Sequence, residues 1–399
     1  MTSILNRAMR LFCRSPWPKL EFPTTGIDFI SDEYLVDEET LEGFDKTSYY
    51  PVNIGEVFAD RYQVVGKLGF GISSTVWLAR DLPKYATLKV YTRHWNGTDE
   101  LEIYKALSNG NSKHPGYKHI RTAQHNFKIA RPEGEHLCLV QKPMGDSLQD
   151  LLKRTAHHRL PTDVLRMALI QILLALDYVH TDCKLVHTDL KTDNIFLEIE
   201  DEGIFEDFVK WEMTHPVARK LGEYPVYGSC SFRRPKSVGA LMLGDFGAAA
   251  RGNVLQSHRI QPNQFQCPEV LFNRLWSYAA DIWNLGTLIW DLYENRTLFN
   301  GKHPDGSGYH PTAHLTQIIA MLGPPPLKWL EEYPRKKHIF DPEALTLESQ
   351  ETNLSGDEQK EFLQFMQCML QWRPEDRMTA KQLLGHPWLK ARERWNINY

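Results

Sequence analysis

The chain has 399 residues, of which 42% are hydrophobic and 24% charged, and its formal net charge is −4. A chain of this length buries a large core and divides into two lobes or domains, and the near-neutral charge gives no reason to expect nucleic acid as a direct partner. The six cysteines are scattered without a close-spaced pair. This argues against a zinc site or a disulfide framework and fits a reducing compartment.

The first twenty residues are basic and contain no acid. Mitochondrial presequences and disordered basic tails share this composition, and we favour the tail. Residues 31–45 are then rich in acids, which predicts a solvated leader to the folded part. No secretory signal is visible. The apolar stretch 164–179 is interrupted by Arg166, Gln171 and Asp177, so we expect no membrane span.

Strand-like runs dominate from Tyr62 to about Val140, in "YQVVGKLG", "STVWLAR", "ATLKVY" and "HLCLVQ". Within this region only "DELEIYKALS" has helical spacing. Helical patterns take over after Gly145, with "PTDVLRMALIQILLALDYVH", "ADIWNLGTLIWDLY" and "DEQKEFLQFMQCML". The boundary between a β-rich lobe and a mainly helical lobe is therefore predicted near residues 142–145.

Gly69 and Gly71 lie between two strand-like runs in "KLGFGISSTVWLAR". Glycines there let a turn approach phosphate groups, although the stretch alone favours an ordinary hairpin. Lys89 lies in the next apolar strand, where it needs a carboxylate partner unless it reaches solvent from a sheet edge. Glu100, on the inward stripe of the following helix, is a better partner than Glu102.

Two further segments place reactive side chains beside apolar runs. "LVHTDLKTDNIFLEI" contains Asp189, Lys191 and Asn194, and "LMLGDFGAAA" contains Asp245. Aspartate and asparagine oxygens suit magnesium, and an aspartate beside a lysine can accept a hydroxyl proton. Each motif alone could form a hydrogen-bonded cluster with a purely structural role. Their order and spacing together favour phosphoryl-transfer chemistry.

With these motifs in this order, the chain resembles a eukaryotic protein kinase over roughly residues 60–390. The resemblance implies an α+β, two-lobed protein kinase fold, with a small β-rich N-lobe and a larger, mainly helical C-lobe. It implies ATP and Mg²⁺ as cofactors, Asp189 as catalytic base, Lys191 assisting the γ-phosphate, and Asn194 and Asp245 as metal ligands. The nucleotide-binding residues that it implies are Leu68, Gly69, Phe70, Gly71, Ile72, Ser73, Ser74, Thr75, Val76, Lys89, Glu100, Lys142 and Met144.

The same resemblance makes Glu269, in "QCPEV", the partner of Arg377, and it makes Asp281 the brace of the catalytic loop. "HTDLK" is similar to the corresponding motif of SR-protein kinases, which phosphorylate Arg-Ser-rich splicing factors. "HLTQIIAMLGPPP" looks like the insert of the wider CMGC group. The entry segment before "KLGFG" is similar to that of fungal SR-protein-kinase-like enzymes.

Several positions depart from the family pattern. Gln141 stands at the back of the expected adenine pocket, where relatives have a large apolar residue. Pro143 has no N–H, so the adenine should use the Lys142 carbonyl and the Met144 amide. Gln266 and Cys267 replace an arginine and an alanine, which leaves peptide preference open. In the expected CMGC insert, residues 299–314 hold a single acid, Asp305.

The predicted organisation is a leader over 1–47 that is partly disordered, an N-lobe with its entry segment over 48–144, and a C-lobe over 145–391. The C-lobe is expected to carry an at least partly ordered insert over 198–240 and the CMGC insert over about 299–345. Residues 392–399 form a tail.

We expect a monomeric protein serine/threonine kinase of the cytoplasm or nucleus, with mitochondrial targeting by residues 1–20 as the alternative location. Its partners would be protein substrates, with Arg-Ser-rich splicing factors as the leading candidates, and neither nucleic acid nor membrane. The rival is a pseudokinase scaffold that binds nucleotide or partners without turnover. A small-molecule kinase is disfavoured by the CMGC-like insert and the "PE" segment.

Overall fold

The computed structural model describes residues 18–81, 84–95, 98–233, 237, 239–332 and 346–390. Its strands are β1 (Val57–Phe58), β2 (Tyr62–Gly71), β3 (Ser74–Asp81), β4 (Lys84–Tyr91), β5 (Ala123–Arg131), β6 (Gly134–Gln141), β7 (Met144–Ser147), β8 (Leu185–Val186), β9 (Ile195–Glu198), β10 (Arg219–Lys220), β11 (Val226–Tyr227), β12 (Leu241–Leu243) and β13 (Ala250–Arg251). Its α-helices are α1 (Thr98–Asn109), α2 (Leu148–Arg154), α3 (Thr162–Asp177), α4 (Gly203–Thr214), α5 (Pro268–Leu271), α6 (Ala279–Glu294), α7 (Pro311–Leu322), α8 (Leu327–Glu332), α9 (Leu347–Gln350), α10 (Gly356–Gln367), α11 (Ala380–Leu383) and α12 (Pro387–Lys390).

The chain forms two compact units. The first unit comprises Met1–Asp99, Thr122–Gly145 and Glu198–Gly239, and the second comprises Glu100–Arg121, Asp146–Leu197 and Ala240–Tyr399. Two segments therefore differ from the organisation predicted from sequence. The insert 198–240, expected in the C-lobe, belongs to the first unit up to Gly239, and most of α1, expected in the N-lobe, belongs to the second unit.

The first unit is built on an antiparallel sheet with strand order β1-β2-β3-β4-β6-β5. Side chains alternate between its two faces, because successive residues of a strand point to opposite sides. One face buries a core that includes Trp77, Ala79, Leu88, Val90, Cys138 and Val140, together with Tyr227 of the insert.

The insert also supplies helix α4, whose apolar side chains form a second cluster in the first unit. Phe205 and Phe208 pack with Val65 of β2 and Leu78 of β3. Phe208 comes so close to β2 that a Cβ on Gly66 would lie 2.8 Å from its ring. The apolar face of α4 is therefore the reason that the insert belongs to the first unit. Within residues 198–233 the insert forms α4, β10 and β11.

The expectation of a solvated acidic leader is wrong for residues 37–39. Lys67 of β2 is fully buried, and its ammonium group forms ion pairs with Glu38 and, at 3.1 Å, with Asp37. Glu39 pairs with Lys220 of the insert at 2.8 Å. A buried ammonium requires carboxylates, so this part of the leader is bound to the sheet.

The second unit is organised around α3 and α6. From Ala280 to Trp290 every residue of α6 is buried, as is typical of a central core helix. By length and composition the helical stretch Thr162–Asp182 could cross a membrane, but 67% of its apolar window is buried inside the protein. Strands β9 and β12 pair antiparallel, with Phe196 opposite Met242, and they flank the loops that carry Asn194 and Asp245.

Candidate active site

The predicted site residues fall into two groups, one on each unit. The first unit carries the glycine-rich turn, Lys89, Lys142 and Met144, and the second carries Glu100, Asp189, Lys191, Asn194 and Asp245. The expected Lys89–Glu100 ion pair joins residues of different units and stays a prediction.

In the first unit, β2 and β3 form a hairpin in which Gly71 is paired with Ser74, so that Ile72 and Ser73 make the turn. A Cβ added to Gly69 or Gly71 would meet no atom within 4 Å. These glycines are therefore not required by packing within the described residues, and they leave the backbone open to a ligand.

Lys89 and the segment after β6 provide the other groups of the first unit. The Lys89 ammonium lies 5.0 Å from the centroid of the Tyr91 ring. Lys142 forms an ion pair with Glu198, at the start of the insert, and Met144 is buried. The use of the Lys142 carbonyl and the Met144 amide by adenine stays a prediction.

In the second unit, the loop between β8 and β9 holds Asp189 by several hydrogen bonds. The Lys191 ammonium donates to Oδ2 of Asp189 at 2.8 Å. The Asn194 amide nitrogen donates to the same oxygen at 3.0 Å and to the Asp189 carbonyl at 2.9 Å. The backbone N–H of Asp189 donates to Nδ1 of His187 at 3.2 Å. The loop therefore gathers Asp189, Lys191 and Asn194 as the sequence predicted.

Asp281 at the start of α6 braces this loop, as predicted. Its carboxylate accepts hydrogen bonds from the backbone N–H groups of His187 (2.7 Å) and Thr188 (2.8 Å) and lies 2.8 Å from Nε2 of His180. Burial raises the pKa of Asp281, but the hydrogen bond and charge of His180 and the interactions with His187 together hold it below its ordinary value.

Two residues of the site have left-handed backbone conformations that the sequence did not reveal. Thr188 has φ of 69° and Asp245 has φ of 54°. This region is costly for a β-branched residue such as threonine, and strain of this kind concentrates at functional sites. The Thr188 hydroxyl donates to the Ala248 carbonyl at 2.7 Å, which ties the catalytic loop to the segment after Asp245.

The side chains of Asn194 and Asp245 fit a magnesium ion by the chemistry of their donor atoms. The Asn194 nitrogen is used by Asp189, which leaves the amide oxygen to act as a ligand. Within the described residues no group of three or more His, Cys, Asp or Glu side chains forms a metal centre. A magnesium ion would therefore complete its shell with phosphate and water oxygens, as this ion commonly does.

The predicted pair of Glu269 and Arg377 is confirmed. The two guanidinium nitrogens donate to the two carboxylate oxygens at 2.7 and 2.6 Å, and both side chains are buried. Burial lowers the pKa of Arg377, but the charge and hydrogen bonds of Glu269 outweigh it and leave that pKa raised. This two-point pair joins α5 to the segment before α11.

Gln266, one of the departures from the family pattern, is buried and lines a cavity together with Asp189. This cavity, in the second unit, has a volume of about 420 Å³. The Gln266 side-chain oxygen accepts from Arg259 at 3.0 Å and from the Tyr309 hydroxyl at 3.3 Å. No pattern in the sequence indicates that this buried amide organises the segment before Pro268.

Comparisons with known proteins identify the family of the chain. Residues 62–389 match the model of the protein kinase domain family, so the chain belongs to the protein kinase family. It is a serine/threonine protein kinase, and it resembles the SR-protein kinases. It is 38% identical to a serine/threonine protein kinase of Aspergillus fumigatus, over 97% of this chain and 99% of the relative.

A more distant relative is the serine/threonine-protein kinase SRPK of Physarum polycephalum, with 28% identity over 90% of this chain and 92% of the relative. Among solved structures, the crystal structure of a kinase domain superposes with a TM-score of 0.64 at 22% identity. It covers 86% of this chain and all of the solved one, and it supports the fold alone. The α+β kinase fold expected from the sequence is thereby confirmed.

Proposed function

We propose that the enzyme transfers the γ-phosphate of Mg-ATP to serine or threonine hydroxyls of proteins, with Arg-Ser-rich segments as preferred substrates. The observation that carries this proposal is the arrangement around Asp189. Its carboxylate is held by Lys191 and Asn194, and its loop is braced by Asp281. A fixed carboxylate can accept the proton of a substrate hydroxyl, and the adjacent ammonium stabilises negative charge on the transferred phosphoryl group.

The remaining predicted residues have roles in holding the nucleotide. Asn194 and Asp245 would hold magnesium, which supplies positive charge to the phosphates of ATP. Backbone N–H groups of the turn 68–76 and the Lys89 ammonium would bind the phosphates, and the segment from Lys142 to Met144 would bind the adenine.

Arginine-rich substrates require carboxylates, and two acids of the CMGC-like insert, Asp305 and Glu332, are already engaged. Asp305 lies 2.7 Å from His303, and Glu332 accepts from Arg274 at 2.7 Å. Asp341, Arg335, Lys336 and Lys337 of the same insert lie outside the described residues. The insert therefore supports only weak binding of guanidinium groups.

A cavity of about 680 Å³ in the second unit offers a better place for an arginine. It is lined by Lys191 and Asp193 of the catalytic loop and by Asp291 of α6. Oδ1 of Asp291 is buried and has no hydrogen-bond partner within the described part of the chain. Burial raises the pKa of Asp291 to about 7, so a bound cation would stabilise its ionised form.

The proposal is tested by measuring kcat/KM for an Arg-Ser repeat peptide and for the same peptide with each arginine replaced by alanine. We expect a clear preference for the first, and Asp291→Asn should reduce that preference while Asp305→Asn should not. Equal values for the two peptides would remove the Arg-Ser assignment. Asp189→Ala should abolish transfer and retain ATP binding. Wild-type protein that binds ATP without any turnover would instead be a pseudokinase.

A further inference from the structure

Residues 37–49 of the first unit, here called the N-terminal strap, contact the glycine-rich hairpin. The hydroxyl of Tyr49 lies 3.0 Å from the Gly71 carbonyl oxygen and 2.9 Å from the Ile72 carbonyl oxygen, so it donates to the backbone at the tip of the turn. Tyr49 is 9% exposed. Tyr49 is the first residue of the entry segment, and the sequence resemblance assigned it no role in nucleotide binding.

The position of Tyr49 is determined by its neighbours in the strap. The Ser48 carbonyl accepts from the backbone N–H of Arg93, just after β4, at 2.9 Å. Asp45 caps the preceding 3₁₀ turn by accepting from the N–H of Thr47 at 3.0 Å. The Phe44 ring packs on Tyr49 with centroids 5.3 Å apart. The phenol ring is therefore held rigidly beside the hairpin.

The strap also contacts the strand that leads into the turn. Asp37 and Glu38 pair with the buried Lys67 of β2, immediately before Leu68. At the tip, the Ile72 side chain is 79% exposed, and the position of a Cβ on Gly71 is open. Side-chain packing therefore does little to hold the tip of the hairpin. The hydrogen bond from the Tyr49 hydroxyl connects the backbone of the tip to the strap.

We propose that Tyr49 is a positioning residue for the phosphoryl-transfer reaction. By binding the Gly71 and Ile72 carbonyls, it holds the backbone of the turn in one arrangement, so that the N–H groups of the turn are preorganised for the phosphates of ATP. Tyr49 touches no reacting atom and acts only through the turn. The inference rests on the proposed use of ATP by this hairpin.

The test is Tyr49→Phe, which removes only the hydroxyl. Loss of one hydrogen bond to the turn should raise KM for ATP by about 2- to 10-fold. KM for the protein substrate and the melting temperature should stay close to those of the wild type. Hydrogen exchange of the amides of residues 70–74 should be faster. The matched control is Tyr50→Phe, whose hydroxyl donates to Glu56 at 2.7 Å and not to the hairpin. It should leave KM for ATP unchanged.

An unchanged KM for ATP and unchanged exchange in Tyr49→Phe would overturn the inference, as would equal rises in KM for ATP and for the protein substrate. A fall in melting temperature with no selective effect on ATP would make the role of Tyr49 purely structural and would also overturn it. Failure of the proposed function looks different, because then the wild-type protein itself would not transfer phosphate.

Discussion

At the scale of single residues, the most unusual feature is a pair of buried polar groups in the sheet of the first unit. Thr87 of β4 and Gln141 of β6 are register partners, and their side chains therefore share one face. Oγ1 of Thr87 and Nε2 of Gln141 are buried and have no hydrogen-bond partner among the described residues. Groups of this kind cost stability.

Gln141→Met removes the unpartnered donor and keeps the volume of the side chain. We expect it to raise the free energy of unfolding by about 1 to 3 kcal/mol, measured by chemical denaturation. Gln63→Met is the matched control, because the Gln63 amide is satisfied by Leu20 at 2.8 and 2.9 Å. The control should be destabilising. A loss of stability in Gln141→Met would contradict this interpretation.

A second residue-scale prediction concerns Glu212 of α4. Burial raises the pKa of this carboxyl to about 7, although hydrogen bonding from the Val217 N–H and the charge of Arg219 oppose the rise. The pKa of Glu212 is thus higher in the folded protein than in the unfolded chain. The stability that this difference contributes is fully present below the pKa of the unfolded chain and is lost as the pH rises through about 7. The melting temperature should therefore fall between pH 5 and pH 8.

Glu212→Gln should remove this part of the pH dependence, because the amide oxygen can still accept from Val217 without ionising. Glu206→Gln, a change of an exposed glutamate on the same helix, should keep the wild-type profile. The measurement is thermal unfolding of the three proteins across this pH range. Parallel profiles for Glu212→Gln and wild type would show that Glu212 does not titrate there.

At the scale of elements, the docking of α4 depends on a glycine in β2. A Cβ on Gly66 would lie 2.8 and 3.1 Å from two atoms of the Phe208 ring. Gly66→Ala should therefore cost about 1 to 3 kcal/mol, as overpacking does. Its cost should shrink when Phe208 is replaced by alanine, since the clash is then gone. Gly69→Ala is the control, because a Cβ at Gly69 meets open space. If the costs of Gly66→Ala and Phe208→Ala were simply additive, the proposed contact between Gly66 and Phe208 would be disproved.

The segment after Asp245 gives a second prediction at this scale. Ser257 is its sole hydroxyl residue before Glu269, and the residue before Asp189 is the uncharged Thr188, so no cation there requires a phosphate partner. Backbone hydrogen bonds between Gln256 and Trp276, at 2.9 and 3.1 Å, hold the segment without a phosphate. Ser257→Ala should thus keep most of kcat in a kinase assay, and a collapse of kcat with the fold intact would contradict this.

At the scale of the whole molecule, regions far apart in sequence meet at Lys67. Its ammonium binds Glu38 of the strap and donates to the Tyr227 carbonyl of the insert at 2.9 Å. Lys67→Met leaves the buried carboxylate of Glu38 without its ammonium partner and should cost about 3 to 5 kcal/mol. Lys67→Met combined with Glu38→Gln should recover much of this loss.

Lys128→Met is the control for this prediction, because its ion pair with Glu135 is exposed and should contribute under about 1 kcal/mol. Chemical denaturation measures all four proteins. Equal small losses for Lys67→Met and Lys128→Met would mean that the strap and the insert add nothing to the stability of the sheet.

The sequence by itself determined the catalytic loop and the class of fold. Asp189, Lys191 and Asn194 lie within one short loop, so their meeting follows from local geometry. Periodicity identified the strands and the long helices, because burial of one face imposes a repeat on each element. The distant Glu269–Arg377 pair was predicted through the resemblance to the kinase family.

Only the tertiary structure decided how the leader and the insert are used. An acidic run is solvated in most proteins, and its pattern does not show that Glu38 finds a buried lysine. The roles of Tyr49 and Phe208 likewise depend on contacts with β2 that no local period encodes. Hydrophobic burial and ion pairing act between whichever groups the folded chain brings together, so these partners became visible only in three dimensions.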